Sequence, residues 1–263
     1  MSDSKGVDMI RPTIDLIHAH GSIRHYKLDP VPVEVIETII SAAQRSSTSS
    51  NLQAYSIIVV TDADKRQKLS KLCDNQKHIK EAPVFLAWCA DLARLNLTCQ
   101  LRGYTQVTDQ VENFLVAAVD AAIAAQTGAL AAESLGLGIC YIGAIRNDPQ
   151  AIIELLGMPK LVFPVCGMTI GWPIKAPRRR PRLPLSAVLH WEHYNSSNQE
   201  DALLQYDREM AASGIYGKRQ VPTPVNEGEM KDYGWLEHTA RRVSKVTRAG
   251  LRAELEKQGF GVK

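Results

Sequence analysis

The sequence is short of the pairings that build metal and disulfide frameworks. Its 263 residues include only five cysteines, Cys73, Cys89, Cys99, Cys140 and Cys166, an odd number with no Cys-x-x-Cys pair. Their neighbours are mostly apolar. The pattern argues against a disulfide scaffold and a zinc site, and predicts reduced, buried thiols in a cytoplasmic protein. The signatures His-Glu-x-x-His and Gly-x-Ser-x-Gly are also missing, so metal-dependent and serine-hydrolase chemistry have no signal and no metal site is expected. No Gly-x-Gly-x-x-Gly follows a strand, and there is no P-loop. Charge of one sign is not in excess: 31 basic residues against 28 acidic ones leave a net charge of +3, which argues against a nucleic-acid partner. The most apolar stretch, FLVAAVDAAIAAQTGALAAESLG, is broken by Asp120 and Gln126 and richer in alanine than leucine. A membrane span needs about 20 consecutive apolar residues, so a buried soluble helix is expected and no membrane partner. The opening MSDSKGVDMIRPT has no apolar core of a secretory signal.

What is present reads as an alternation of helices and strands. Thr13 or Asp15 opens a helix to about His20. Pro32 stands at a first-turn position before VEVIETIISAAQ, whose apolar residues fall at helical spacing. YSIIVVT is a strand, DKRQKLSKLC a one-sided helix and APVFLAWCA a second strand. Val111 to Leu135 is apolar almost all round, hence a buried helix, stopped by Gly136 and Gly138. ICYIGAI is a third strand. DPQAIIELLGMP is a helix capped by Asp148 with Pro149 in its first turn, and LVFPVCGMTIGWP is a fourth strand. This predicts a layered α/β or α+β core over residues 1–175. Residues 176–263 begin with the extended, basic PIKAPRRRPRLPLS and continue as helical stretches around QEDALLQYDREMAAS and GWLEHTARRVSKVTRAGLRAELEKQ. They read as an extension packed on the core.

Several segments have the chemistry to hold an anion. HAHGSIRHY combines His20, Ser22, Arg24 and His25, and a hydroxyl beside a planar guanidinium fork suits a phosphate. NQKHIKEAP offers Gln76, Lys77 and His78; RRRPRLP offers Arg178, Arg179, Arg180 and Arg182; EHTARRVSKVTR offers Arg241, Arg242, Lys245 and Arg248. Taken one at a time, each is equally a solvated loop or a charged helix face. A run of small hydroxyl residues, Ser46 to Asn51, leads directly into the strand Tyr55–Val60 without a glycine between them.

In combination and order, these segments resemble the nitroreductase family, in its branch of oxygen-insensitive NADPH nitroreductases and P-type flavin reductases. The likeness runs through TIDLIHAHGSIRHY, SSTSSNLQAYSIIVVTD, NQKHIKEAP, AAESLGLGICYIGAIRN, GWPIKAPRRRPRLP, ALLQYDREM and HTARRV. It implies an α+β fold, a mixed sheet flanked by helices, in an intertwined homodimer with a C-terminal extension packing across to the partner. It implies FMN as cofactor and NADPH as electron donor. By this resemblance His20, Gly21, Ser22, Ile23 and Arg24 contact the FMN phosphate and ribityl chain. Thr48, Ser49 and Ser50 line the flavin, as do Gln76, Lys77 and His78. Tyr141, Ile142, Gly143 and Ala144 pass along the ring, and Arg180 and Arg182 close on the phosphate. Arg241 or Arg242, with Lys218 and Arg219 as rivals, hold the 2′-phosphate of NADPH. Ala144 stands where the family often has a second glycine, and Asn51 where it often has an aromatic, which makes Asn51 a residue of the substrate pocket. The implied activity is a ping-pong reduction of small-molecule acceptors such as nitroaromatics, quinones or free flavin. Two other readings compete. One is a flavin- or nucleotide-binding sensor without turnover; the other is a basic protein using its arginine runs on nucleic acid.

Overall fold

The computed structural model describes residues 12–217, 219–222 and 230–261. Two compact units are present, one formed by the chain up to Arg178 together with Arg248 onward, the other by Arg179–Thr247.

The first unit is built on four strands, β1 (Tyr55–Val60), β2 (Val84–Asp91), β3 (Gly138–Ile142) and β4 (Val162–Gly171), in the order β1-β2-β4-β3. All three pairings are antiparallel, so what is mixed here is helix with sheet, and the fold class is α+β as expected. The central strand β2 is buried along its whole length, and its side chains alternate between two cores. Val84, Leu86 and Trp88 enter one cluster with α2 (Val33–Ala43) and α6 (Val111–Ser134). Phe85, Ala87 and Cys89 enter the other, with α3 (Ala63–Leu72), α4 (Lys77–Glu81), α7 (Pro149–Leu156) and α10 (Leu251–Gln258). The remaining helices of this unit are α1 (Pro12–Ala19) and α5 (Ala93–Leu101).

Local signals explain most boundaries. Asp62 caps α3 by accepting from Lys65 N, and Asp148 caps α7 by accepting from Ala151 N, with Pro149 in the first turn. The expected third strand stops at Ile142, and residues 143–146 tighten into a 3-10 turn.

The long helix α6 departs from expectation. Its sheet-facing side is Ala117, Ala121, Ala124, Ala125, Gly128, Ala129 and Ala132, small enough for the helix to lie close; a Cβ on Gly128 would sit 2.9 Å from the buried Trp88. Its other side is not buried within the chain. Val111, Leu115, Val119 and Ile123 are 52%, 54%, 46% and 40% exposed, because none of the described elements of the first unit covers them. The helix is long and apolar enough to cross a membrane, yet its alanine face is a sheet-packing surface.

The second unit contains α8 (Gln199–Ala212), a short hairpin of β5 (Gln220–Pro222) and β6 (Met230–Asp232), and α9 (Trp235–Val243). Tyr206 of α8 packs edge-on against Trp235 at 5.2 Å, and Asp207 accepts from Leu236 N at the start of α9. The C-terminal helical stretch is thus two helices, α9 and α10, broken between Ser244 and Gly250.

Candidate functional site

Three sequence-predicted segments converge along β3, an edge strand of the sheet. At its start, Ile23 N donates to Ile139 O at 2.8 Å, laying the Ser22-Ile23-Arg24 segment beside the strand. Buried Tyr26 fixes that segment: its hydroxyl donates to Ile23 O at 2.7 Å and lies 2.8 Å from the Thr169 hydroxyl. Burial holds this phenol well above its ordinary pKa, so it stays neutral. His20 is held from α6, where Glu133 Oε1 accepts from its Nδ1 at 2.6 Å. Gly21 permits a close crossing of the chain, since a Cβ there would meet Pro177 Cβ at 2.8 Å and Arg178 O at 3.1 Å. The result is a cavity of about 520 Å³ lined by Ser22, Arg24 and His25 with Lys175 and Arg178. It is rich in donors and positive charge, a setting for an anion.

The second segment reaches the same edge from α4. His78 lies half-buried, and its Nε2 is buried without a hydrogen-bond partner among the described residues. Burial first, then the charges of Arg24 and His25, lower its pKa, with Glu81 opposing. Lys77 pairs with Glu81 at 3.0 Å on the surface. Gln76 is half-buried, and its carbonyl accepts from the Ser70 hydroxyl at 2.9 Å.

The third segment is the end of β3. Tyr141 is exposed on the edge, with its hydroxyl donating to Gln126 Oε1 at 3.3 Å. Ile142 is buried, Gly143 exposed, and the Ala144 side chain belongs to the core cluster rather than the edge. Arg248 donates to Gly143 O at 3.1 Å and to Asn147 Oδ1 at 3.0 Å, and Asn147 in turn donates to Asp74 Oδ2 at 2.8 Å. This chain ties the Tyr141–Gly143 turn to the loop leading into α4. Arg146 donates to Val165 O; burial and the neighbouring Arg248 lower its pKa.

The hydroxyl run lies elsewhere. Ser49 N and Ala54 N donate to the two oxygens of Asp120 on α6, at 2.9 and 3.1 Å. His20 is anchored to Glu133 on the same helix, about 20 Å further along its axis at 1.5 Å per residue. Within one chain, Thr48, Ser49, Ser50 and Asn51 therefore do not join the β3 cluster.

The remaining candidates are in the second unit. Arg180 and Arg182 are exposed on a segment held by Tyr206, whose hydroxyl donates to Pro181 O at 3.1 Å. Arg219 stacks 4.5 Å from the Tyr233 ring centre. Arg241 is engaged by Glu237 one turn before it, whereas Arg242 has no hydrogen-bond or ion-pair partner among the described residues. Lys218 lies outside the described residues. Sequence reasoning passed over Lys175 and the two α6 carboxylates as site residues, and offered Arg248 only as one cation of the Arg241–Arg248 stretch, not at the end of β3. The only signal of Asp120 was a charge interrupting an apolar helix.

Comparison with known proteins identifies the family. A family profile described as the nitroreductase family matches residues 17–172, and one described as its C-terminal domain matches residues 180–263. An "FMN reductase [NAD(P)H]" of Bacillus subtilis is 40% identical over 246 residues, covering 92% of this chain and 95% of its own. An "oxygen-insensitive NADPH nitroreductase" of Salmonella typhimurium is 38% identical over 252 residues, covering 96% and 99%. Among solved structures, B. megaterium NfrA2 superposes with a TM-score of 0.88 at 39% identity, over 97% of this chain and 100% of that one. With the profiles covering both units and relatives aligned from end to end, this chain belongs to the nitroreductase family.

Proposed function

We propose that this protein is an FMN-dependent oxidoreductase that takes electrons from NADPH and passes them to small acceptors, nitroaromatics, quinones or free flavin, in two alternating half-reactions. The observation that carries the proposal is the cationic cavity that the Ser22–His25 and Lys175–Arg178 segments build, with the orphaned His78 close enough to feel the Arg24 and His25 charges. The residues there fit FMN: Ser22, Arg24, Lys175 and Arg178 suit a phosphate, Gly21 keeps the chain crossing tight, and the orphaned His78 Nε2 awaits a polar partner. Relatives named as FMN reductase and NADPH nitroreductase support the same reading.

Bound FMN supplies two-electron transfer between donor and acceptor. The chain's own contribution is placement and charge. Arg24 offers a fork to the phosphate, and Glu133 holds His20 in the tautomer protonated at Nδ1. Arg146 and Arg248 place positive charge at the end of β3, where it would stabilise negative charge developing on a ligand. From the second unit we assign Arg180 and Arg182 to the phosphate. Arg242 and Arg219 are assigned to the 2′-phosphate of NADPH in preference to Arg241, whose charge Glu237 already engages. Asn51, with a left-handed backbone on the hydroxyl run, is assigned to the acceptor pocket.

We further propose a homodimer. The hydroxyl run and the β3 cluster sit about 20 Å apart along α6, and the same helix carries the exposed stripe Val111, Leu115, Val119 and Ile123 from its first residue to just past Asp120. Two copies joined isologously through this exposed side of α6 would bury the stripe and let each site draw its hydroxyl run from one copy and its cationic cavity from the other. A cytoplasmic setting accords with the NADPH donor and with free thiols that burial makes inert: Cys73 is pushed up to about 12 and Cys166 to about 11.

The test is anaerobic stopped-flow spectroscopy on the FMN-supplemented protein. NADPH should bleach the flavin absorbance faster than NADH does. Nitrofurazone, a quinone and FMN should then restore it in turn. A protein that binds no FMN sinks the proposal, and one that binds it without bleaching is a sensor rather than an enzyme.

A further inference from the structure

We propose that Asp120 is a positioning residue, a buried anionic clamp that holds the hydroxyl loop in a shape ready for ligand. The inference rests on the flavin reading above. Asp120 is 1% exposed on the alanine face of α6, and among the described residues no ion pair neutralises it. A carboxylate so placed is costly unless its oxygens are hydrogen-bonded. Its two oxygens accept from Ser49 N at 2.9 Å and Ala54 N at 3.1 Å.

Those amides bracket three residues with left-handed backbone, Ser50 at φ 47°, Asn51 at φ 57° and Gln53 at φ 52°. Left-handed conformations disfavour residues that carry a Cβ, so such a loop persists only where its surroundings hold it. The grip is two-sided. Opposite the Asp120 anion, the Arg94 guanidinium donates to Gln53 O at 3.1 Å, Tyr55 O at 3.2 Å and the Ser56 hydroxyl at 2.7 Å. The anion thus takes N–H groups and the cation takes carbonyls at the same stretch of chain. Between them the amides of Ser50 and Gln53 have no hydrogen-bond partner among the described residues, and the hydroxyls of Ser49 and Ser50 stand exposed. Groups held unpaired in a fixed geometry are what a preorganised binding loop offers. A helix that needed only to pack on the sheet would have alanine at this position, as at Ala117, Ala121 and Ala124.

The experiment compares wild type with Asp120→Asn, which keeps the shape but sets an amide group against one backbone donor. Amide exchange on the FMN-free wild type should show Ser49 and Ala54 slow, and Ser50 and Gln53 fast. In Asp120→Asn, exchange at Ser49 and Ala54 should rise while β2 is unchanged. Titration of the apoprotein followed by flavin fluorescence should give FMN binding about tenfold weaker, the order of one lost charge-assisted hydrogen bond. A folded variant with wild-type FMN affinity, even at a lower melting temperature, would make Asp120 a structural anchor and overturn the proposal. Should the variant not fold, two further results decide it. Wild-type exchange equally fast at Ser49 and Ser50 overturns the clamp. Retained FMN affinity in Arg94→Lys, which loosens the carbonyl side of the grip, overturns the two-sided hold. A wild type that binds no FMN at all is a different result: it removes the flavin reading itself.

Discussion

Arg24 and His78 are where single side chains decide most. Arg24 lines the cationic cavity, and a guanidinium fork gives a phosphate two parallel bonds that a point charge does not. Arg24→Ala should weaken FMN binding by roughly 30-fold, about 2 kcal/mol, and Arg24→Lys by less, read by fluorescence titration of the apoprotein. His78 gives a pH signature. Its folded pKa lies below the ordinary 6.5 because burial and the Arg24 charge disfavour the imidazolium. The unfolded chain therefore binds the proton more readily, and stability falls as pH drops through about 6.5 toward the lower folded value. Urea unfolding of the apoprotein from pH 7.5 to 5 should show this loss, and His78→Asn should flatten it. Both residues were legible in the sequence, as a hydroxyl-arginine pair and as Gln-Lys-His before a strand. Asp120 and Glu133 were not. A lone carboxylate in an apolar helix has no local pattern, and its partners stand 71 and 113 residues away.

Among the elements, the strands and the capped helices were readable because their signals are local. A β-branched apolar run gave β1, a solid apolar run gave the doubly covered β2, and Asp148-Pro149 marked the start of α7. The hairpin of β5 and β6 and the split between α9 and α10 were hidden, since short polar strands and exposed helix ends leave little periodicity. Helix α10 shows how an inconspicuous element can matter. Just beyond it, Phe260 completes a trio of edge-to-face rings, 5.5 Å from Phe114 and 6.3 Å from Phe163. Phe163 and Phe260 sit in the core cluster on the α3 and α7 side of the sheet, and the partly buried Phe114 packs against it. Phe260→Ala leaves a cavity there and should cost about 3–5 kcal/mol in chemical denaturation. A loss below about 1 kcal/mol would mean that α10 adds little to the first unit.

For the whole molecule, the decisive feature is the half of α6 that the chain leaves uncovered. Its sequence is apolar all round, which reads as burial, and within one chain only the alanine side is buried. The larger residues, Val111, Leu115, Val119 and Ile123, recur every fourth position and form one stripe. Such a stripe is what an isologous interface uses, and the cost of exposing it rises with its area. The same arrangement explains why the site was legible only as fragments. The segments were identified one by one, but the sequence does not say that the hydroxyl run is anchored midway along α6 and the β3 cluster at its C-terminal end. A charge in the middle of the stripe tests both points together. Val119→Glu leaves the alanine face and Asp120 clamp untouched, so the chain should still fold, with near-native circular dichroism. Sedimentation velocity should then show a monomer under conditions where the wild type should sediment as a dimer. Because each site would draw its hydroxyl run from one copy and its cationic cavity from the other, FMN affinity should fall with dimerisation, and raising protein concentration should restore both. A monomer that binds FMN as tightly as wild type would show that one chain holds a complete site, and that the exposed stripe serves another purpose.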